Sequence, residues 1–372
     1  MPPPYSRYGV RLFVPVLILL AALLPRFCRA EFRISAEGRV NTGWEYDDNV
    51  FESSSGKATG GAAVASLFTT LKFQTHSALT VLNYNLGYKD HHRLAGSNQP
   101  VAGDVLVNRL SGLGRRKLGA DWSTGYGGDL KLRNVFDKNQ LNLLSEEGYV
   151  RGSGHLSATR HNLPGAADLR FEYRLAVCDF QTFHTFDYVS HSPGCRLSRK
   201  VGRTTSLSAR YNFTRRTFER TVNVPDGSGG LVWADGQQND NLHQFELGFS
   251  YTQGMLFNVS WALQRNDSNN YGFSYWNNRF TILLADRLPG KLFLNAYLFF
   301  ELKRYSDETG QPLLVDILTE ENDNNGAVIK LSRPISKTLD VSVTASLYRN
   351  ESSIRELNFR KNVIATSLTV RF

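Results

Sequence analysis

Past residue 30 the chain has no apolar run long enough to cross a bilayer as a helix, so the mature protein is either soluble or a closed barrel. Cysteine is scarce, three in 372 residues, and no Cys-x-x-Cys or Cys-x-x-Cys-His occurs. The signatures of a cysteine zinc site and of a c-type haem are therefore missing, and no cofactor or metal is expected. No basic block with interleaved aromatics is present, so the formal charge of +9 is no argument for nucleic acid as a partner. Short coil repeats with Gly or Asn ladders, which a β-helix needs, do not appear. Nor does any composition shift between Glu31 and Phe372 mark the linker that a two-domain sandwich of this length requires.

The first thirty residues do have a pattern. Arg7 and Arg11 precede an apolar stretch from Leu12 to Leu24, followed by Pro25 and the run Phe27-Cys28-Arg29-Ala30. This predicts a secretory signal peptide over residues 1–30, cleaved before Glu31, with the mature domain running over 31–372. Arg26 and Phe27 stand where a lipoprotein signal needs small or aliphatic residues, which argues against lipidation of Cys28. The segment contains four arginines and no acid, so its loss lowers the formal charge from +9 to +5.

What fills the rest is alternation with a period of two. Leu339, Val341, Val343, Ala345 and Leu347 face one way and Asp340, Ser342, Thr344 and Ser346 the other. Phe171, Tyr173 and Leu175 alternate with Arg170, Glu172 and Arg174. Phe245, Leu247 and Phe249 alternate with Glu246, Gly248 and Ser250, and the first strand begins at once with Ile34, Val40, Trp44 and Tyr46 against Arg33, Glu37 and Arg39. An apolar face opposite a polar one predicts an all-β fold, a transmembrane antiparallel up-and-down β-barrel of about sixteen strands.

Punctuation supports the meander. Short turns are predicted near His76-Ser77, Arg116-Lys117, Leu163-Pro164-Gly165, Gly202-Arg203, Gln253-Gly254, Pro289-Gly290 and Ser336-Lys337. Long loops are predicted over Asp47 to Gly61, Lys89 to Gly103, Asn134 to Gly148, Asp179 to Gly194, Glu219 to Asp240, Asn266 to Tyr271, Ser306 to Asp323 and Arg349 to Glu356. The expected location is the outer membrane of a Gram-negative cell, with the short turns and both termini periplasmic. Expected partners are outer-membrane lipid, lipopolysaccharide and the barrel assembly machinery. The final strand ends Leu368, Val370, Phe372, an amphipathic strand closed by a terminal aromatic, which resembles the assembly signal that machinery reads.

The run Gly43-Trp44-Glu45-Tyr46-Asp47-Asp48-Asn49-Val50-Phe51 resembles the first-strand signature of a family of β-barrel porins found with exopolysaccharide synthesis and export genes. The resemblance covers about nine residues and the overall layout. It implies a barrel, an association with polysaccharide export, and no catalytic residues. Read physically, Trp44 and Tyr46 suit a membrane interface, and Asp47, Asp48 and Asn49 suit a turn leaving the sheet.

The candidate working residues are the polar-face charges. Arg33, Arg39, Lys131, Arg133, Arg170, Arg174, Arg210 and Lys303 are expected to line a lumen together with Glu172, Glu246 and Glu301, and with Glu37, Asp129 and Asp168. A polar lumen holds water, which predicts a channel, for an exported polysaccharide or for anionic solutes. Cross-strand pairing of opposite charges is the structural alternative for the same residues. A second reading is a non-conducting scaffold, including a sheath that holds components of an electron conduit. A third is an outer-membrane hydrolase, since His91 and His92 adjoin Asp90, and His184 and His191 lie near Asp187 and Ser192. No nucleophile motif joins those groups, so no enzyme is expected. Cys178 and Cys195 flank the fourth predicted loop, where a disulfide could staple its base in an oxidising compartment. The acids Asp307, Glu308, Asp316, Glu320, Glu321 and Asp323 read as a solvated acidic loop, with Ca²⁺ bridging to lipopolysaccharide as the alternative.

Overall fold

A computed structural model describes residues 33–53, 57–92, 102–136, 148–228, 230–306, 325–350 and 359–372. The segment 1–30 and the acids from Asp307 to Asp323 lie outside the described residues. Sixteen strands run in chain order: β1 Arg33–Asp47, β2 Gly60–Gln74, β3 Ala78–His92, β4 Asp104–Leu118, β5 Trp122–Phe136, β6 Tyr149–Leu163, β7 Ala167–Phe180 and β8 Tyr188–Val201. They continue as β9 Thr205–Pro225, β10 Leu231–Gln253, β11 Met255–Ser268, β12 Tyr275–Leu288, β13 Leu292–Tyr305, β14 Asn325–Pro334, β15 Leu339–Asn350 and β16 Phe359–Arg371. Each pairs antiparallel with its chain neighbours, and β1 pairs with β16, so the sheet is a closed barrel without a free edge. Both termini of the meander lie at the rim that carries the short turns.

A strand of 15 residues, such as β1, extends about 50 Å along its own axis. At the usual barrel tilt this exceeds an apolar band of ~25 Å. The band is visible as large apolar side chains exposed on one face all round the barrel, among them Ile34, Leu110, Leu156, Phe171, Leu207, Leu247, Phe280, Leu298, Val343 and Ile364. The register places all of these on one face, the outer one. At the rims, indole rings meet basic groups on that face: the Arg160 guanidinium lies 5.8 Å over Trp122, and that of Arg265 lies 5.1 Å over Trp276. Amphipathic rings beside cations suit a membrane interface.

The sixteen-strand layout holds, but predicted boundaries move, and three of the moves have a clear physical reason. The turn expected at Arg116-Lys117 falls at residues 119–121, where Gly119 supplies the positive φ of 82° that the reversal needs. The loop expected over Asp179 to Gly194 shrinks to residues 181–187, because Ser190, Ser192 and Gly194 are the inward face of β8 and not a polar loop. The loop expected over Glu219 to Asp240 shrinks to 226–230. Strands β9 and β10, of 21 and 23 residues, outrun the others. Beyond the band of exposed apolar side chains both faces of a hairpin are wet, so the alternation that marks a half-buried strand disappears from the sequence.

The nine-residue run at the end of β1 closes the seam. The Asp47 carboxylate accepts the Asn49 backbone N–H at 2.9 Å, and Asp48 accepts the backbone N–H of Asn362 on β16 at 2.6 Å. Fully buried Asn49 donates its amide to the Ser53 and Arg360 carbonyls at 2.9 and 3.0 Å and accepts the Ser53 N–H at 3.0 Å. Lys361 pairs with both Asp47 and Glu52, at 3.1 and 3.2 Å. At the opposite rim Phe372 and Gly38 exchange two backbone hydrogen bonds of 2.9 Å. The Phe372 ring lies over Gly38 so closely that a Cβ there would sit 2.3 Å from it.

Candidate functional site

The inner wall is the candidate site. Side chains converge on the concave face of a closed sheet, and there ionic contacts reach across a whole intervening strand. Glu172 of β7 meets Arg210 of β9 at 3.7 Å, and Lys89 of β3 meets Glu45 of β1. The register puts every sequence-predicted lining residue on this face: Arg33 and Arg39 on β1, Lys131 and Arg133 on β5, Arg170, Glu172 and Arg174 on β7, Arg210 on β9, Glu246 on β10, and Glu301 and Lys303 on β13.

Some of these charges hold the wall. Lys72 pairs with Glu37 at 2.6 Å and Arg109 with Asp129 at 2.6 Å; Arg371 pairs with Asp340. Glu301 accepts the Asn277 amide, while the Lys303 ammonium lies 4.4 Å over the Tyr275 ring. Arg39 caps Phe68 at 4.4 Å. Between β6 and β9 the pattern differs. There Glu172 alone serves three guanidiniums, with Arg170 at 2.7 Å, Arg174 at 3.4 Å and Arg210 at 3.7 Å. Asp168, the other carboxylate on that stretch, faces His161 at 3.2 Å.

The register adds inward basic residues that the sequence reading did not name, including Arg109, Arg151, Arg196, Arg216, Arg279 and Lys330. Parity alone could have assigned Arg109 and Arg196, which sit in ordinary alternating stretches. Where β14 to β16 meet β1 to β3, the inner wall also holds a cavity of about 450 Å³ lined by Glu45, Lys89, Lys330, Tyr348 and Lys361.

Near the long-loop rim the inner wall turns aromatic. Tyr149, Phe180, Tyr188 and Phe218 point inward from β6 to β9, and the loop 181–187 adds Phe186 through a short 3-10 turn. Two arginines are embedded among these rings. The Arg216 guanidinium is 4.8 Å from Tyr188, and that of Arg220 lies 5.1, 5.0 and 4.2 Å from Phe186, Phe218 and Phe273. In the loop itself His184 stands 3.2 Å from Asp187 and 3.8 Å from Asp179. Burial, with Asp179 beside it, pushes the Asp187 carboxyl up to about 6, against the hydrogen bonds from the Phe180 N–H and His184.

The disulfide is not formed: Cys178 and Cys195 are both free thiols. Cys178 stands opposite Tyr188 on the inner face, whereas Cys195 stands opposite Phe171 on the outer face. The wall separates them, so no rotamer change brings the sulfurs together. The histidine groupings are also divided: His91, His92 and His191 lie on strands, and only His184 and Asp187 stay in a loop. His91 donates its Nδ1–H to the Gly103 carbonyl at 2.8 Å on the inner side, while His92 stacks on Trp44 outside, with ring centroids 5.7 Å apart. His191 bonds the Tyr173 hydroxyl at 2.6 Å on the outer face, and Ser192 accepts the Thr214 hydroxyl at 2.9 Å on the inner one.

No family model and no curated protein matches the chain. Among solved structures it is similar to OmpT, an outer-membrane protein of Vibrio cholerae, at 10% identity and a TM-score of 0.47, covering 93% of this chain and 99% of that one. It is also similar to OpdK of Pseudomonas aeruginosa, solved with vanillate, at 9% identity and a TM-score of 0.44, covering 91% and 99%. It is similar, too, to a mutant form of the Rh. blastica porin, at 10% identity and a TM-score of 0.37, covering 91% of this chain and 100% of that one.

Proposed function

We propose that the chain is an outer-membrane channel, with its short-turn rim and both termini in the periplasm and a water-filled lumen that passes solutes with a preference for anions. The observation that carries this is the separation of the two faces of one closed sheet, apolar outside and charged within. A closed barrel satisfies all its backbone groups internally, which makes it one of the two structures that can sit in hydrocarbon. A polar interior of this kind holds water. The surplus of inward arginine over carboxylate on β6 to β9 supports the anion preference, because low-dielectric walls focus such a field on the lumen.

The likeness of residues 43–51 to the exopolysaccharide-associated porins supports an acidic sugar polymer as the solute. That likeness has a structural use in this barrel, since the run ties β1 to β16, so it supports the fold more directly than the cargo. On this reading the partners are lipid, lipopolysaccharide, the assembly machinery and a polysaccharide-export system, and no hydrolytic role is assigned to the histidines. Planar-bilayer recording of the folded mature protein tests it. Stepwise ohmic currents in KCl are expected; a folded barrel that inserts without current overturns the channel and leaves a scaffold in its place.

A further inference from the structure

Arg170, Arg196 and Arg210 stand directly opposite one another on β7, β8 and β9, all on the inner face. Side chains so placed have Cβ atoms about 4.5–5.5 Å apart, and like charges in that position destabilise a sheet. Three in a row therefore need either counter-charges or a use. The counter-charges fall short. Glu172 is shared among Arg170, Arg174 and Arg210, and it reaches Arg210 past Gly194, where any Cβ would collide with the Asn212 amide oxygen at 2.2 Å. On the far side the register sets Glu246 opposite Arg210. Arg196 has a neutral partner, the Ser208 hydroxyl at 3.2 Å. Four guanidiniums thus face two carboxylates. An independent sign points the same way: the Nε–H of Arg170 is buried with no acceptor.

We propose that this row is a binding site for a solute carrying two oxyanion charges, entering from the lumen. Guanidinium forks match the paired oxygens of carboxylate and phosphate, so the ligand chemistry is a phosphate dianion or a pair of carboxylates. Such a ligand neutralises the two surplus charges and gives the Arg170 donor an acceptor. The proposal rests on the reading of the lumen as open to solutes, and it deepens it by naming a saturable site on the way through.

The test uses the folded mature barrel in detergent, titrated calorimetrically with inorganic phosphate at pH 8 and with succinate, and the same preparation in planar bilayers in KCl. Wild type should bind at least one of the two saturably, and the tighter one names the oxyanion. Arg196→Gln should weaken that binding at least tenfold, and Arg170→Gln with Arg196→Gln should abolish it. Lys200→Gln, inward on β8 but off the row, should stay within twofold. Arg196→Gln removes one of three like charges, so it should fold at least as well as wild type, and heat-modifiable migration checks this. A barrel that conducts KCl but binds neither dianion, or whose binding survives the double substitution, overturns the site while the channel stands. Binding that depends on the row in a barrel that passes no current upholds the site and overturns the channel.

Discussion

Replacing Asn49 by Ala should be among the most damaging single changes at the long-loop rim. The side chain is 0% exposed and makes three hydrogen bonds, two donated to the Ser53 and Arg360 carbonyls and one accepted from the Ser53 N–H. A neutral hydrogen bond contributes about 0.5–1.5 kcal/mol net, and a buried backbone group left without a partner costs about 1–3 kcal/mol. Alanine removes all three bonds, so one N–H and two carbonyls lose this partner. Water at the rim can reach part of the gap, so the lower end of each range applies, and the cost should be about 2–4 kcal/mol. The bond to Arg360 matters most, because it joins the first strand's exit to the last strand. Asn49→Asp keeps the acceptor for Ser53 but turns a carboxylate oxygen toward the Ser53 and Arg360 carbonyls in a buried position, so it should be at least as damaging as alanine. Urea unfolding in lipid vesicles, followed by tryptophan fluorescence and by heat-modifiable migration, measures the difference. A cost of Asn49→Ala below about 0.5 kcal/mol, the size of an ordinary surface change, would refute the claim that this run closes the seam.

Deleting Phe372 removes two backbone hydrogen bonds to Gly38 and the ring that covers it, so the heat-modifiable fraction in outer membranes should drop; an undiminished fraction would show that the seam does not need it. Val343→Arg puts a charge on the outer face at mid-strand, at a cost of about 2–4 kcal/mol, whereas Thr344→Arg on the inner face should cost much less, and equal costs in a lipid refolding titration would mean the faces are reversed. The raised Asp187 carboxyl binds its proton more tightly in the folded loop than in the unfolded chain, so its contribution is present below about pH 4 and lost as pH rises through about 6. Proteolysis within 181–187 should therefore be faster at pH 8 than at pH 5, and Asp187→Asn, which mimics the protonated form beside Asp179, should flatten that dependence. Arg170→Glu with Arg174→Glu should turn the proposed anion preference toward cations in reversal-potential measurements, most clearly at low salt, where screening is weakest; an unchanged reversal potential would place the selective charges elsewhere.

Facing was legible in the sequence because a strand has only two faces and the residues declare which is which. Phe171, Tyr173 and Leu175 can lie on the outer face only if Arg170, Glu172 and Arg174 lie on the inner one, and the structure has them so. Neighbours were not legible, since they depend on the sum of paired residue numbers, which a turn sets to the nearest residue. Cys178 pairs with Tyr188, so paired positions on β7 and β8 share parity, and an even-numbered and an odd-numbered cysteine fall on opposite faces. A loop one residue longer or shorter would have put both on one face. The same limit hid the row of Arg170, Arg196 and Arg210, three ordinary alternating arginines until the register aligns them. The aromatic knot was hidden for another reason: Tyr149, Phe180, Tyr188 and Phe218 occupy inward positions, where the alternation argues for polar residues.

The placement of charge around the ring separates two tasks. On the strands beside the seam, four inward cations have acids of their own, Lys72 with Glu37, Lys89 with Glu45, Lys361 with Asp47 and Glu52, and Arg371 with Asp340, while Arg39, opposite Arg371, rests on the Phe68 ring. Pairs of that kind span β1 to β3 and β15 to β16, where the barrel must find its own end and close. Halfway round the ring, β7 to β9 put like charges side by side and share one acid among three arginines. If the inward charges served only to hold the wall, pairing should be as complete there as at the seam, because those strands are in register with long, regular neighbours and have the same freedom to carry an acid opposite a base. They do not carry it. The sharing of one acid among three arginines sits away from the seam, where closure is least at stake, and that placement is what the proposed anion preference rests on.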